Sequence, residues 1–167
     1  MQVCFSHGKD SGPWDSKITA LAEVARGAGF AVESLDYRGI DDPAVRVERL
    51  LVHCATLSEP PVLVGSSMGA YVALGAAAER DVTAMFLMAP AVYVPGYEQY
   101  APQRPRCPLT MVHGWRDGTI PAQSALRFAA ECAATLHMLD ADHRLEGHVA
   151  AVCRLFAGFL EDLGVTP

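Results

Sequence analysis

The stretch PVLVGSSMG, residues 61–69, passes from a short apolar run directly into a serine that stands between two glycines. An alanine-rich segment, residues 71–78, follows with the apolar spacing of a helix. A chain that turns from strand to helix through one residue forces that residue into an unfavourable backbone region and lifts its side chain clear of the sheet. We therefore expect Ser67 to stand exposed at a tight strand-to-helix turn, where Gly65 and Gly69 leave space for it.

On both sides of this turn, short apolar runs alternate with longer segments of helical period. The pattern predicts six strands, at residues 3–7, 32–37, 62–65, 85–89, 109–113 and 136–139. It also predicts five helices, at residues 16–28, 43–57, 68–79, 121–132 and 146–163. Since a parallel strand must return through a crossover helix, the alternation indicates an α/β fold, a three-layer α/β/α sandwich on a mostly parallel six-stranded sheet.

The length of the chain fits one folded domain. At about 150 residues per domain, the 167 residues predict a single domain over residues 1–167 and leave no room for a separate cap domain. The segment 91–107 departs from the alternation, because its three prolines restrict helix formation. It also carries three tyrosines, Tyr93, Tyr97 and Tyr100. We expect this segment to be a loop over the edge of the sheet.

Composition narrows the classes of function. Thirteen basic and nineteen acidic side chains give a net charge of −6, which opposes binding to nucleic acid or to an anionic membrane surface. No apolar stretch reaches the roughly 20 residues that cross a bilayer, and the N-terminus lacks the pattern of an export signal. The five cysteines are scattered and form no C-x-x-C pair, so neither a disulfide framework nor a zinc cage is indicated. A cytoplasmic protein with reduced thiols fits best.

A serine hydroxyl is a weak nucleophile until a base accepts its proton, so Ser67 needs a histidine and an acid close by. Sites in open parallel sheets lie at the carboxyl ends of strands, which restricts the search to the loops that follow them. The loop after the fifth predicted strand supplies Asp117, and the loop after the sixth supplies His143. Serine, acid and histidine in this order are typical of one class of catalytic triad. His148 is the weaker candidate for the base, because it falls within the last predicted helix.

Each of these residues also has a structural interpretation. Serine is a good helix cap, so Ser66 and Ser67 have a role at the start of the following helix without any chemistry. Asp-Gly is a common turn signal, which gives Asp117 a similar alternative. For His143 the alternative is an exposed histidine without a role. The hypothesis of catalysis depends on the coincidence of all three at predicted strand ends.

Backbone amides offer a second catalytic element. The helix that begins after the serine directs its first N–H groups and the positive end of its dipole at the turn, so the Met68 amide could stabilise a developing oxyanion. His7-Gly8-Lys9 ends the first predicted strand, and Gly8 allows the Lys9 amide to face the same point. An ordinary strand-to-loop turn is the alternative. His7 and His113 both precede glycines at strand ends, and we interpret both as structural.

Metal and phosphate binding are poorly supported. Five residues of types that bind zinc cluster within nine positions: Asp140, Asp142, His143, Glu146 and His148. None of the H-E-x-x-H patterns is present, however, and a site built from one short segment usually needs distant ligands as well. Gly8, Gly12 and Lys9 match neither glycine-rich nucleotide motif. The sequence therefore predicts no metal and no cofactor.

Four stretches together resemble the α/β-hydrolase superfamily: His7-Gly8, residues 65–69, residues 113–117 before Ile120-Pro121, and Asp142-His143. Across nearly the whole chain, the sequence is similar to small bacterial members without a lid that are often described as esterases. The resemblance implies a minimal α/β-hydrolase fold, with Ser67 as nucleophile, Asp117 as acid and His143 as base. It also implies that the Lys9 and Met68 amides form the oxyanion hole.

These observations predict a serine hydrolase that cleaves small or short-acyl carboxylic esters through an acyl-enzyme intermediate. The same residues would serve a thioesterase or a peptidase, and a non-catalytic interaction domain of hydrolase architecture is the alternative from another class. The expected partner is a small-molecule ester, with no nucleic acid and no membrane. Without a cap we expect a shallow pocket, walled by residues 9–14, the tyrosine-bearing segment 91–107 and Trp115.

Overall fold

The computed structural model describes residues 1–95 and 104–164. Within them, six strands alternate with five α-helices, as the sequence predicts. The strands are β1 Gln2–Ser6, β2 Ala31–Leu35, β3 Val62–Ser66, β4 Ala84–Met88, β5 Leu109–Gly114 and β6 Thr135–Leu139. The helices are α1 Ser16–Gly27, α2 Pro43–Ala55, α3 Met68–Glu79, α4 Ala122–Cys132 and α5 Val149–Asp162.

The described strands form one parallel sheet of order β2-β1-β3-β4-β5-β6. The predicted α/β fold is confirmed. The chain runs outward from β1 to β2 and then returns to build the rest of the sheet from β3, on the other side of β1. In such a sheet, ligands bind in the crevice at the carboxyl ends of the strands where the order reverses. That crevice lies between the loop after β1 and the turn after β3.

Helices cover both faces of the sheet. α1 and α5 pack on one face, where the ring of Phe156 meets those of Phe5 and Phe86 edge to face. α2, α3 and α4 cover the other face. β3 and β4 are buried along their whole length, which explains their nearly continuous apolar sequences. Within the described ranges, no helix is both long and apolar enough to cross a membrane.

α3 packs directly behind the turn that carries Ser67. Every residue from Met68 to Ala76 is buried, because the helix is covered by α2 and by the strands beneath it. A helix that is apolar on all sides belongs in a core rather than at a surface. The turn at Ser67 therefore connects two buried elements, β3 before it and α3 after it.

The predicted second strand, residues 32–37, is wrong at its end. The strand stops at Leu35, and two residues later the Tyr37 amide donates a hydrogen bond to Nε2 of His7 at 2.9 Å. The Tyr37 hydroxyl lies 3.1 Å from Oγ of Ser6. The His7 ring thus takes the place of the backbone acceptor that would continue the strand pairing. Apolar periodicity does not indicate such a side-chain contact.

The predicted last helix, residues 146–163, is wrong at its start. Glu146–His148 forms a 3₁₀ turn, and α5 begins at Val149. Leu145 has a left-handed backbone with φ of 58°, and the His148 amide donates to its carbonyl at 2.9 Å. The left-handed residue changes the direction of the chain and delays the α-helix.

The segment 91–107 is described only in part. Tyr97, Tyr100 and Pro102 lie outside the described residues, as do residues 165–167. Residues 91–95 form irregular structure after β4. The Tyr93 ring there packs edge-on against Phe128 of α4, so this part of the predicted loop is anchored to the helical layer.

Candidate active site

Ser67 occupies the turn between β3 and α3 in a strained backbone conformation. Its φ of 53° and ψ of −118° lie outside the regions that a serine ordinarily adopts. The turn is held by the Ser67 amide, which donates to the Met88 carbonyl at 2.9 Å, and by the Ser67 carbonyl, which accepts from the Ala70 amide at 3.0 Å. The side chain stands at the N-cap position of α3 but makes no capping hydrogen bond. The hydroxyl is therefore directed to another partner.

The two glycines that frame the serine are required by close backbone contacts. A Cβ atom on Gly69 would lie 1.9 Å from the Ser6 carbonyl oxygen, where α3 starts against β1. A Cβ atom on Gly65 would lie 2.5 Å from the Gly69 carbonyl oxygen and from Cα of Ala70. Real Cβ atoms do not come so close to backbone, so the strand and the helix approach at this distance only because both positions are glycine.

The structure brings the three predicted side chains together at this turn. Nε2 of His143 lies 3.0 Å from Oγ of Ser67, and Nδ1 of His143 lies 2.7 Å from Oδ2 of Asp117. A carboxylate only accepts hydrogen bonds, so Nδ1 carries the proton and donates to Asp117. Nε2 is then left as the acceptor for the Ser67 hydroxyl. The result is a continuous chain of hydrogen bonds from hydroxyl to imidazole to carboxylate.

The two carboxylate oxygens of Asp117 accept hydrogen bonds from different partners. Its Oδ1 accepts from the amides of Thr119 and Ile120, both at 2.8 Å, while Oδ2 accepts from His143. Burial of the carboxyl disfavours its charge, but the hydrogen bonds from His143 and the two amides outweigh this and lower its pKa. Asp117 is therefore ionised at neutral pH.

A second histidine lies behind the carboxylate. His113 is fully buried in β5, and its Nε2 lies 3.0 Å from the Ile120 carbonyl oxygen and 3.4 Å from Oδ2 of Asp117. Both neighbours accept, so Nε2 carries the proton, and Nδ1 has no hydrogen-bond partner among the described residues. Desolvation lowers the pKa of His113, which keeps the ring neutral. The expected structural role thus includes a contact with Asp117 that the sequence did not indicate.

The loop after β1 is fixed by two buried side chains. Because Nε2 of His7 accepts from the Tyr37 amide, its Nδ1 carries the proton and donates to the Gly8 carbonyl at 2.7 Å. Nη1 of Arg46 donates to the same carbonyl at 3.2 Å. In a trans peptide the C=O and N–H point in opposite directions. With the Gly8 oxygen held against His7 and Arg46, the Lys9 N–H points away from them.

Arg46 is a buried residue beside the candidate site that was not predicted from the sequence. It is only 1% exposed, and its Nε also donates to the Ile40 carbonyl at 2.7 Å. A signal was present in the helix periodicity, because Arg46 stands four residues before Leu50 and eight before Cys54 on the buried face of α2. A charge at such a position indicates a buried partner for it.

A cavity of about 580 Å³ lies beside Ser67. It is lined by the loop after β1 and the start of α1, by the turn at Ser67, and by loops after β4, β5 and β6. Its lining residues include Gly8, Lys9, Asp10, Ser11, Gly12, Asp15, Ser16, Lys17, Met68, Ala91, Val94, Thr119, Ile120, His143, Arg144 and Glu146.

One of the expected pocket walls, Trp115, is wrong, and segment 91–107 lines the cavity through Ala91 and Val94 rather than through Tyr93. Trp115 is not part of the described lining; its side chain is 54% exposed and its amide donates to the Leu139 carbonyl at 2.8 Å. Tyr93 is turned to α4, where its hydroxyl bonds the Glu131 carboxylate and Arg127 lies over its ring at 4.0 Å. In their place, Lys17 of α1 and Arg144 after β6 contribute to the walls.

The chain belongs to the α/β-hydrolase family, whose model matches residues 4–166. A protein from Xanthomonas campestris pv. campestris, assigned to the α/β-hydrolase superfamily, is 35% identical to it. That match covers 96% of this chain and 98% of the other, with a TM-score of 0.89. A comparison with curated proteins finds no significant match.

More distant structures share the fold. A monoacylglycerol lipase from Paleococcus ferrophilus is 16% identical, with a TM-score of 0.84 over 97% of this chain and 94% of the lipase. An esterase from Pyrococcus furiosus is also 16% identical, with a TM-score of 0.76 over 96% of this chain and 81% of the esterase. At these identities the likeness concerns the fold alone. The chain thus has a hydrolase fold with lipase and esterase structures among its neighbours.

Proposed function

We propose that this protein is a serine hydrolase that cleaves small or short-acyl carboxylic esters. The observation that carries the proposal is the hydrogen-bonded chain from Oγ of Ser67 through the His143 ring to Oδ2 of Asp117. These three groups follow three different strands. Along the chain, His143 is 26 residues from Asp117 and 76 residues from Ser67. A general base beside a strained, uncapped serine is the arrangement that activates a hydroxyl for attack.

In the first half of the reaction, Oγ of Ser67 attacks the ester carbonyl while Nε2 of His143 accepts the hydroxyl proton. The ionised Asp117 stabilises the imidazolium that forms. Collapse of the tetrahedral intermediate breaks the bond to the leaving oxygen, which takes the proton from His143. In the second half, water attacks the acyl-enzyme with His143 again as base, and the acid and free Ser67 are released.

Two backbone amides are suited to stabilise the negative charge on the carbonyl oxygen. Met68 is the first residue of α3, and N–H groups in the first turn of a helix have no intrahelical partner. The positive end of the helix dipole adds to their effect. The Lys9 amide is oriented by the contacts of the Gly8 carbonyl with His7 and Arg46. We assign the oxyanion hole to these two amides.

The state of the cysteines supports a reducing compartment. All five thiols are free, and Cys4, Cys54 and Cys132 are buried. Proteins of oxidising compartments commonly pair their cysteines as disulfides. We propose that the enzyme acts in the cytoplasm on a small-molecule ester.

The test is hydrolysis of p-nitrophenyl acetate by the wild-type protein and two neighbouring serine variants. Ser67→Ala removes the nucleophile and is expected to lower kcat by at least about 10³-fold. Ser66→Ala, at the last residue of β3 directly before Ser67, is the matched control and should retain activity. Turnover by Ser67→Ala at the wild-type rate would exclude the proposal.

A further inference from the structure

The cavity beside Ser67 has two sides of different chemistry. One side is apolar and small, formed by Ala91, Val94 and Ile120, which pack together around Tyr71 of α3. The other side is polar, formed by the loop after β1, the first turn of α1 and the loop after β6. Because β3 lies between β1 and β4 in the sheet, Ser67 stands between the polar loop after β1 and the apolar side. An ester at Ser67 therefore meets apolar atoms with one of its halves and polar groups with the other.

Lys17 is the most unusual residue of the polar side. It is only 9% exposed, and its Nζ donates to the Arg144 carbonyl at 2.6 Å. Among the described residues this is its single hydrogen bond, so two of the three N–H groups of the ammonium have no protein partner. A buried cation is stable only when its donors are satisfied. Burial accordingly lowers the pKa of Lys17, and an oxygen of a bound molecule in the cavity would supply the missing acceptor.

The charges on this side are balanced. Its lining includes three basic residues, Lys9, Lys17 and Arg144, and three acidic ones, Asp10, Asp15 and Glu146. An anionic group would gain little net attraction in such a lining, in a chain whose own net charge is −6. A hydrocarbon group would desolvate the charges without replacing their hydrogen bonds. A hydroxyl group both donates and accepts, so it suits ammonium and carboxylate neighbours at once.

From this lining we infer that the substrates are short-acyl esters of alcohols that carry neighbouring hydroxyl groups, with the polyol half on the polar side and a hydroxyl accepting from Lys17. This inference rests on the proposed function. It assigns the acyl half to the small apolar side at Ala91, Val94 and Ile120. The reaction is the ester hydrolysis described above, with the polyol leaving as the free alcohol after protonation by His143. Lys17 acts in binding and takes no proton in either step.

The experiment compares glycerol 1-acetate with propyl acetate, two esters that share the acyl group and the three-carbon chain and differ by two hydroxyls. After correction for their rates of alkaline hydrolysis, the wild-type kcat/KM should favour the glycerol ester by about tenfold or more, as expected for a hydrogen bond to a charged group. Lys17→Met keeps the length of the side chain and removes the ammonium. It should lower kcat/KM for the glycerol ester by about tenfold and leave that for propyl acetate within about threefold.

Arg26→Met is the control, because it removes an exposed cation on the same helix outside the cavity lining. If Lys17 merely anchors the loop that carries His143, Lys17→Met will lower kcat for both esters equally, and the inference is wrong. An absence of wild-type preference for the glycerol ester also overturns it, whether or not the variant folds.

The two proposals can fail separately. Hydrolysis of p-nitrophenyl acetate that depends on Ser67, without a preference between the two acetates, removes the inference about polyols and keeps the hydrolase. Absence of hydrolysis of every ester by the wild-type protein removes the proposed function, and the substrate class with it.

Discussion

Asp117→Asn keeps the size of the side chain and replaces one carboxylate oxygen by an NH₂ group. Oδ1 of Asp117 accepts from the amides of Thr119 and Ile120, both at 2.8 Å, so an asparagine will keep its oxygen at that position. Its NH₂ group will then lie where Oδ2 now stands, 2.7 Å from Nδ1 of His143. Because an NH₂ group only donates, it will hold His143 in the tautomer that carries its proton on Nε2.

In that tautomer Nε2 cannot accept the proton of Ser67, although the two atoms remain in contact. The reaction then loses its general base without any loss of side-chain volume. A fall in kcat of about 10⁴-fold is expected for a wrong tautomer in a triad, which corresponds to roughly 5 kcal/mol of activation free energy. The free energy of unfolding should change much less, since both backbone hydrogen bonds to the side chain are retained.

The assay is kcat for p-nitrophenyl acetate, together with urea unfolding of each variant. Asp140→Asn is the matched control, because Asp140 is an exposed carboxylate paired with Arg116 at 3.0 Å. It should keep kcat within about twofold of wild type. If a folded Asp117→Asn protein keeps more than about a tenth of the wild-type kcat, the assigned role of Asp117 is incorrect.

Three further predictions concern the structure that supports the site. Gly69→Ala should lower the free energy of unfolding in urea by at least about 3 kcal/mol, because the added Cβ has no space. Gly147→Ala is the control: a Cβ at Gly147 would have no atom within 4 Å, so the free energy of unfolding should change by less than about 1 kcal/mol. Arg46→Met should lower the free energy of unfolding by about 2–4 kcal/mol and reduce kcat for p-nitrophenyl acetate more than it changes KM; an unchanged kcat would contradict its positioning role. Burial lowers the pKa of His7 and of His113, so below about pH 6.5 the unfolded chain binds protons that the folded one does not. The contribution of the two histidines to the free energy of unfolding in urea should therefore be fully present above that pH. It should decrease toward pH 5.5 by up to about 1.4 kcal/mol per pH unit for each histidine. Equal free energies of unfolding at pH 7.5 and 5.5 would refute this.

The layers of the fold were predictable because they depend on local pattern. A parallel strand buried on both faces needs a continuous apolar run, and a helix that covers it needs apolar residues at intervals of three and four. The turn at Ser67 was predictable for a similar reason, since Gly65 and Gly69 are imposed by contacts within a few residues and with the adjacent strand. The order of Asp117 and His143 after their strands then placed both at the same edge of the sheet.

The parts that could not be predicted depend on contacts between distant segments. The guanidinium of Arg46 is buried because it meets the carbonyl groups of His7 and Gly8, 39 and 38 residues earlier in the chain. Lys17 faces the cavity because the Arg144 carbonyl, 127 residues later, accepts from it. The Tyr93 side chain lies against α4 rather than in the pocket, because its hydroxyl donates to the Glu131 carboxylate. Periodicity indicates that Arg46 is buried, but neither composition nor periodicity identifies such partners. Arg46 and Lys17 were therefore not among the predicted site residues, and Tyr93 was expected at a pocket wall.

The central claim is that the Ser67 hydroxyl is activated by His143 at the β3–α3 turn. Its most direct measurement is treatment of the purified protein with a fluorophosphonate, followed by peptide mapping with mass spectrometry. The account predicts one covalent adduct, on Oγ of Ser67, that is lost when His143 is replaced by alanine in a folded variant. A protein that remains unlabelled, or that is labelled on another serine such as Ser66, would contradict it.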